Sequence, residues 1–299
     1  MVELDYTYYS GNDEYSDGTE DELLDVVQKY EEKEFPKLIF ERGSWPLLYH
    51  LSEVRGNIIR WVEKQERSKV LEIGAGCGAV TGALADRFGM VHCVELSKKR
   101  SLVNANRNKN HDNIRVFVGN YQTIEPQLPC DYDAVTLIGV LEYARLYLDA
   151  EDPFRELLRE AMGKLKSRGK LYIAIENKLG LKYFAGHQED HLCEYYVGVE
   201  GYPHTGGPQT FSKKELTEML QSLENMQGFR FMYPYPDYKL PRAIYTDEYL
   251  PDAGNLNRNQ SVSAPRLTSF DEQRVYRQLL KEGLYQEFAN SFLIEITKR

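Results

Sequence analysis

The sequence predicts an α/β fold: a seven-stranded, mostly parallel sheet with helices on both faces. Three observations carry that prediction. Short apolar runs at 69–73, 91–95, 114–118, 134–138 and 170–175 have the length and composition of buried strands. Stretches with apolar residues at helical spacing separate several of them. The first run leads straight into a glycine-rich turn that opens a helix.

Residues 1–43 form an acidic, tyrosine-rich arm with a helix expected over 20–33. Its charges and glycines argue against an independent core, and its tyrosines against a free tail, so the arm is expected to fold over the main domain at 44–299. Ser44 is placed to cap a helix with Pro46 in its first turn, where a missing N–H costs little. Leu47, Leu48, Leu51, Val54, Ile58, Trp61 and Val62 give that helix one apolar face, ending near Gln65. After the strand at 69–73 and the glycine turn, a helix runs through Phe88. The strand at 91–95 follows, and Ser97 caps a helix to about Asn108. Strands at 114–118 and 134–138, a helix at 153–166, a strand at 170–175, a helix at 213–227 and strands at 230–233 and 291–297 complete seven strands. Two segments, 178–210 and 235–271, are rich in Gly, Pro, Tyr and His with weak periodicity, and are expected to form a substrate cap.

The chain has 299 residues, 42% hydrophobic and 28% charged, as in ordinary globular proteins. Its net charge of -9 repels a phosphate polymer, which disfavours nucleic acid as partner. The basic run Lys98-Lys99-Arg100 reads as the solvated start of a helix. The four cysteines contain no C-x-x-C pair, which argues against a zinc knuckle or redox motif and fits a reducing cytosol. The N-terminus lacks the regions of a signal peptide, and no run of about 18 apolar residues exists to span a membrane. A soluble, cytoplasmic protein is expected, with its oligomeric state open.

The strongest motif is Val70-Leu71-Glu72-Ile73-Gly74-Ala75-Gly76-Cys77-Gly78. Its glycines allow a tight turn and a close ligand approach. Gly74-x-Gly76-x-x-Ala79 also satisfies the dinucleotide pattern, so a nicotinamide-dependent oxidoreductase is a rival reading. Glu95 closes the second strand about 20 residues on, where a carboxylate accepts ribose hydroxyls in either case. Glu72 separates the two readings: it suits a cofactor's ammonium group and would repel a pyrophosphate. Further turns follow strand ends at Gly119-Asn120-Tyr121 and at Gly139-Val140-Leu141-Glu142-Tyr143.

The Glu-x-Gly-x-Gly-x-Gly turn resembles the first motif of class I S-adenosylmethionine-dependent methyltransferases, over about 44–297 of the chain. That resemblance implies a Rossmann-like fold with S-adenosylmethionine as cofactor and S-adenosylhomocysteine as product. It implies cofactor contacts at Glu72, Gly74, Ala75, Gly76 and Gly78, with Glu95 and Leu96 at the ribose. It further implies Asn120 at the adenine amino group, Tyr121 stacked near that base, and Gly139 and Leu141 in the fourth motif, whose backbone lines the methionine moiety. A narrower resemblance rests on Tyr9-Ser10-Gly11, Tyr15-Ser16-Asp17-Gly18, Glu176-Asn177-Lys178-Leu179-Gly180-Leu181-Lys182-Tyr183-Phe184, Glu189-Asp190-His191 and Tyr235-Pro236-Asp237-Tyr238-Lys239-Leu240-Pro241. These stretches are similar to a bacterial methyltransferase group found beside glycosyltransferases of surface-polysaccharide biosynthesis. That implies methyl transfer to a hydroxyl of a small-molecule or glycan-type acceptor.

Deprotonating a hydroxyl calls for a base within hydrogen-bond reach. Of six histidines, His187, His191 and His204 fall in the first irregular segment. His191 is the expected general base, with Glu189 or Asp190 orienting it and His187 as second choice. Glu142 is expected to bind an acceptor hydroxyl or amine, and Glu176-Asn177 to floor the acceptor pocket. No metal site is expected, since the glycine beside His187-x-x-x-His191 disfavours a chelating helix. A catalytically silent cofactor-binding scaffold for a partner enzyme is the other alternative.

Overall fold

Parallel pairing follows from what the chain places between its strands, because a return crossover through a helix brings the next strand in alongside in the same direction. The computed structural model describes residues 2–13, 15–204, 206–256 and 268–299. It divides into two units: Met1–Ile138 with Glu160–Tyr172 and Thr297–Arg299, and Gly139–Arg159 with Ile173–Ile296.

In the first unit, strands β1 (Glu3–Asp5), β2 (Gln65–Ile73), β3 (Phe88–Glu95), β4 (Ile114–Val118) and β5 (Tyr132–Ile138) lie in the order β1-β4-β3-β2-β5, all parallel. The chain moves outward from β2 through β3 to β4, then returns to place β5 on the other side of β2. The crevice at the carboxyl ends of β2 and β5 is thus the switch point where ligands bind in such sheets. Strand β6 (Leu165–Glu176) begins in this unit and ends in the second. There β6 is followed in order by β9 (Ser291–Lys298), β7 (Met226–Tyr235) and β8 (Ala243–Thr246), with β7 and β8 antiparallel.

The described residues therefore hold nine strands in a mixed α/β arrangement, rather than seven. The two missed strands, β1 and β8, span three and four residues, too few for an alternating pattern to emerge from the arm and the second irregular segment. The rest of that segment at 257–267 lies outside the described residues. The helix expected from Ser44 to Gln65 is broken. It runs over Trp45–Leu51, turns at Ser52, whose side chain accepts a hydrogen bond from Val54 N, and resumes at Asn57–Arg60. Ser52 offers its hydroxyl to the backbone, an alternative to continuing the helix. Ser97 caps helix Lys98–Arg107 as expected, accepting from Arg100 N at 3.3 Å.

The arm is folded. Beyond β1, its helix Glu20–Lys29 buries Leu23, Val26 and Val27 in one cluster with Phe35, Leu38, Leu47, Leu51, Cys77 and Val103. No helix among the described residues is long and apolar enough to cross a membrane.

Candidate functional site

The glycine turn leaves β2 at the switch point. Gly74, Gly76 and Gly78 have φ of 72°, 55° and 76°, left-handed values that favour glycine. The N–H groups of Gly74 and Ala75 both donate to Val94 O at the end of β3, which binds the turn to the neighbouring strand. A Cβ on Gly78 would lie 2.5 Å from Asn104 Oδ1, so the turn packs against helix Lys98–Arg107 with no spare room.

Glu95, at the end of β3, accepts Gly76 N–H at 2.7 Å on Oε2 and Ser97 N–H at 2.9 Å on Oε1. The buried carboxylate thus fixes the turn and the start of the next helix. Leu96 beside it is half-buried. Asn120 follows β4, and its Oδ1 accepts Gln122 N–H at 2.9 Å, setting the short helix that carries Tyr121. The Tyr121 hydroxyl is buried with no hydrogen-bond partner among the described residues.

Glu72 is buried and accepts the Thr81 hydroxyl at 2.6 Å and the Cys93 thiol at 3.4 Å. Burial pushes its carboxyl up to about 7 from the usual 4.5, against those two hydrogen bonds. The sign of the linkage follows. The unfolded chain releases this proton near 4.5 and the folded one near 7, so folding loses stability as pH rises between those values. The cost above pH 7 approaches roughly 3 kcal/mol. Glu72→Gln should flatten that slope: its melting temperature should match the wild type near pH 4.5 and exceed it at pH 8. Parallel melting curves across that range would contradict the raised carboxyl.

One neighbour that the sequence reading set aside lies close to the turn. Arg100, read as part of a solvated basic run, has only 13% of its side chain exposed, and its Nη2 is 3.8 Å from the position of a Gly76 Cβ. Asp17 and Glu20 of the arm pair with it at 3.6 and 3.9 Å, and the Tyr15 ring lies 4.7 Å from its guanidinium carbon. Asp13 accepts Lys98 N–H at 2.7 Å, Lys99 N–H at 3.2 Å and the Ser97 hydroxyl at 3.1 Å. A carboxylate suits the positive end of that helix. Tyr8 presses its backbone on Gly119, where a Cβ would lie 2.4 Å from the Tyr8 carbonyl oxygen. The arm therefore braces the loops after β2, β3 and β4. Only pairings between residues distant in sequence reveal this.

The second unit carries the candidate acid–base groups. It opens with Gly139 (φ 70°), whose N–H donates to Ala174 O, and the buried Leu141. The Tyr238 hydroxyl lies 2.8 Å from where a Gly139 Cβ would stand. Glu142, Glu176 and His191 converge there, with one donor atom from each within 4.8 Å of the others. His191 Nε2 faces Glu176 Oε2 at 3.2 Å and Glu142 Oε1 at 3.9 Å, and its Nδ1 lies 2.9 Å from the Tyr143 hydroxyl. The residue that pairs the His191 ring is therefore Glu176. Glu189 instead accepts the backbone N–H groups of His191 and Leu192 and the Tyr202 hydroxyl.

Asp190 points elsewhere as well, accepting Lys182 at 2.7 Å, Lys239 at 2.7 Å and the Tyr183 hydroxyl at 2.6 Å. His187 places Nδ1 2.6 Å from its neighbour's carbonyl, Gln188 O, and its ring edge-on to Tyr183. Lys239 also pairs with Glu176 Oε1 at 2.6 Å. Both Glu142 carboxylate oxygens are buried, and neither accepts a hydrogen bond from another described residue. Burial pushes Glu142 up to about 8. Against the cost of burial, Lys239 and His191 hold Glu176 well below the usual carboxylate range. Glu176 in turn raises His191 to about 9 despite burial. Asn177, paired with Glu176 in the sequence reading, donates to the backbone carbonyls of Glu287 and Ala289 and holds the chain.

Strand order, switch-point turn and the carboxylate closing β3 together define an α/β fold of the Rossmann-like nucleotide-binding type. Comparison with known proteins narrows this. Residues 71–171 match the family model described as a methyltransferase domain. A crystal structure of a SAM-dependent methyltransferase from Archaeoglobus fulgidus is similar at 15% identity and TM-score 0.51, over 85% of this chain and 100% of that one. A SAM-dependent methyltransferase from Thermotoga maritima aligns at 16% identity and TM-score 0.48, over 89% of this chain and 98% of that one. Phosphoethanolamine N-methyltransferase 1 from Haemonchus contortus, solved with S-adenosylhomocysteine, aligns at 13% identity and TM-score 0.49, over 94% of this chain and 50% of that one. No curated protein sequence matches. The chain thus carries a methyltransferase domain on the fold of S-adenosylmethionine-dependent methyltransferases.

Proposed function

We propose that the protein is an S-adenosylmethionine-dependent methyltransferase that methylates a hydroxyl of a small-molecule or glycan-type acceptor in the cytoplasm. Glu72, Gly74, Ala75, Gly76, Gly78, Glu95, Leu96, Asn120, Tyr121, Gly139 and Leu141 would hold the cofactor. Glu95 supports this best. A carboxylate offers about four acceptor positions, and Gly76 and Ser97 use two, which leaves two for ribose hydroxyls.

One observation carries the acceptor assignment. Glu142 follows β5 by a few residues and holds a fully buried carboxylate that accepts no hydrogen bond from another described residue. A buried polar group without a partner costs free energy, and persists where a ligand completes it. An acceptor O–H would complete it, and His191 stands beside it with Tyr143 and Glu176 at its two ring nitrogens. Those two contacts shift the base from His191, the sequence expectation, to Glu142, leaving Asp190 and His187 to support the pocket.

When bound, S-adenosylmethionine supplies a methyl group on a positively charged sulfur. Glu142 orients the acceptor hydroxyl and takes its proton as the new oxygen–carbon bond forms. Transfer would leave S-adenosylhomocysteine, with the electron pair of the former sulfur–methyl bond on sulfur.

Calorimetric titration with S-adenosylhomocysteine should show one site per chain in the micromolar range, with no heat from NAD. No heat at high micromolar ligand would overturn the cofactor assignments. Mass spectrometry of surface glycan from a deletion strain should show the loss of one methyl mark. If every methyl mark persists, the glycan-type acceptor is wrong.

A further inference from the structure

Glu142, Glu176 and His191 are arranged to do more than contact an acceptor. Their donor atoms lie within 4.8 Å of one another, and all three side chains are at most 5% exposed. Glu142 is the independent sign of a ligand: its buried carboxylate directs Oε1 at His191 Nε2, 3.9 Å away, and neither oxygen accepts a hydrogen bond from another described residue. Buried charges in proteins are paired or coordinate metals.

The surroundings are short of positive charge. Five carboxylates, Glu142, Glu176, Glu189, Asp190 and Asp237, stand beside three cationic side chains, Lys182, Lys239 and His191. Lys182 is engaged by Asp190 and Asp237, and Lys239 by Asp190 and Glu176. The His191 ring is also set as a ligand's would be. Its Nδ1 is anchored on the Tyr143 hydroxyl at 2.9 Å, which turns Nε2 toward both glutamates. Such an outer anchor fixes the tautomer and orientation of a metal-bound imidazole.

We infer that Glu142, Glu176 and His191 form a binding site for a divalent first-row transition-metal ion, an inference that rests on this cluster being the acceptor site. One imidazole and two carboxylates suit zinc or manganese, and three protein ligands leave a position for an acceptor oxygen. Binding the ion would release the proton that Nε2 now directs at Glu176 Oε2 and free that nitrogen's lone pair for the metal. One oxygen of Glu142 binds the ion and the other remains for the acceptor O–H. The sequence expectation of no metal came from His187-x-x-x-His191, and His187, turned to Gln188 O, plays no part.

Full-length protein stripped with a chelator and titrated with Mn²⁺, Zn²⁺ and Co²⁺ tests the site, by calorimetry and by the visible absorption of Co²⁺. One ion per chain should bind, and Glu142→Gln or His191→Ala should weaken it roughly 100-fold. If either variant misfolds, Mn²⁺ must still broaden the His191 ring signals of the wild type in nuclear magnetic resonance. No saturable uptake by the wild type, or unchanged uptake by a folded Glu142→Gln, overturns the site. So does a protein that ignores all three metals but is stabilised by an organic ammonium ion, since the missing cation is then the acceptor's own. Running S-adenosylhomocysteine in parallel separates the levels: its binding without metal uptake removes the ion alone, whereas its failure to bind removes the parent reading.

Discussion

Replacing Glu95 with glutamine is expected to weaken S-adenosylhomocysteine binding by about 100-fold while leaving the chain folded. The carboxylate accepts two backbone N–H groups, from Gly76 and Ser97, and each is a charge-assisted bond. Glutamine keeps one acceptor oxygen and turns an NH₂ toward the other N–H, so one bond becomes a donor facing a donor. Losing a hydrogen bond to a charged group costs roughly 1.5–3 kcal/mol. The turn at Gly74–Gly78 would then lose one of its ties to β3, keeping those of Gly74 and Ala75 to Val94 O, and the proposed ribose contact would lose its charge. Calorimetric titration of wild type and variant measures the difference. A variant within a few-fold of the wild type would make Glu95 a structural clamp only and move the ribose elsewhere.

The parts of this arrangement that sequence reading recovers are those encoded within one turn or one strand. Glycines at 74, 76 and 78 after an apolar run specify a left-handed turn whatever surrounds them. Ser97 marks a helix start because capping is a contact with its own following residues. What escaped is encoded across distance. The pairing of Arg100 with Asp17 and Glu20 joins a helix to the arm, and no local pattern distinguishes it from a solvated basic run. His191 lies among titratable side chains, but its ring pairs with Glu176 at the end of β6, not with the adjacent Glu189 or Asp190. Adjacent side chains on an irregular segment point apart: Asp190 turns to Lys182 and Lys239, and Glu189 turns back to cap backbone. Lys239, from the second irregular segment, was not singled out as a site residue, yet it shares Glu176 and Asp190.

Glu142 is where stability and function are expected to pull apart. An ordinary buried structural carboxylate is hydrogen-bonded, and removing it lowers stability by exposing its former donors. Glu142 accepts no hydrogen bond from another described residue and only faces the His191 ring at 3.9 Å, so Glu142→Met, similar in size and apolar, should raise stability by about 1–3 kcal/mol. The same variant should lower methyl transfer at least ~100-fold, the usual scale for a lost general base. Cofactor affinity should stay within a few-fold, because the variant leaves Gly76, Glu95 and Ser97 untouched. Thermal melting, S-adenosylhomocysteine titration and S-adenosylhomocysteine release with a glycan-precursor extract as methyl acceptor measure the three quantities on one preparation. A higher melting temperature with lost transfer is the signature of a group kept for chemistry at a cost to folding. A lower melting temperature would instead make Glu142 part of the support for His191, and the proton would need another acceptor.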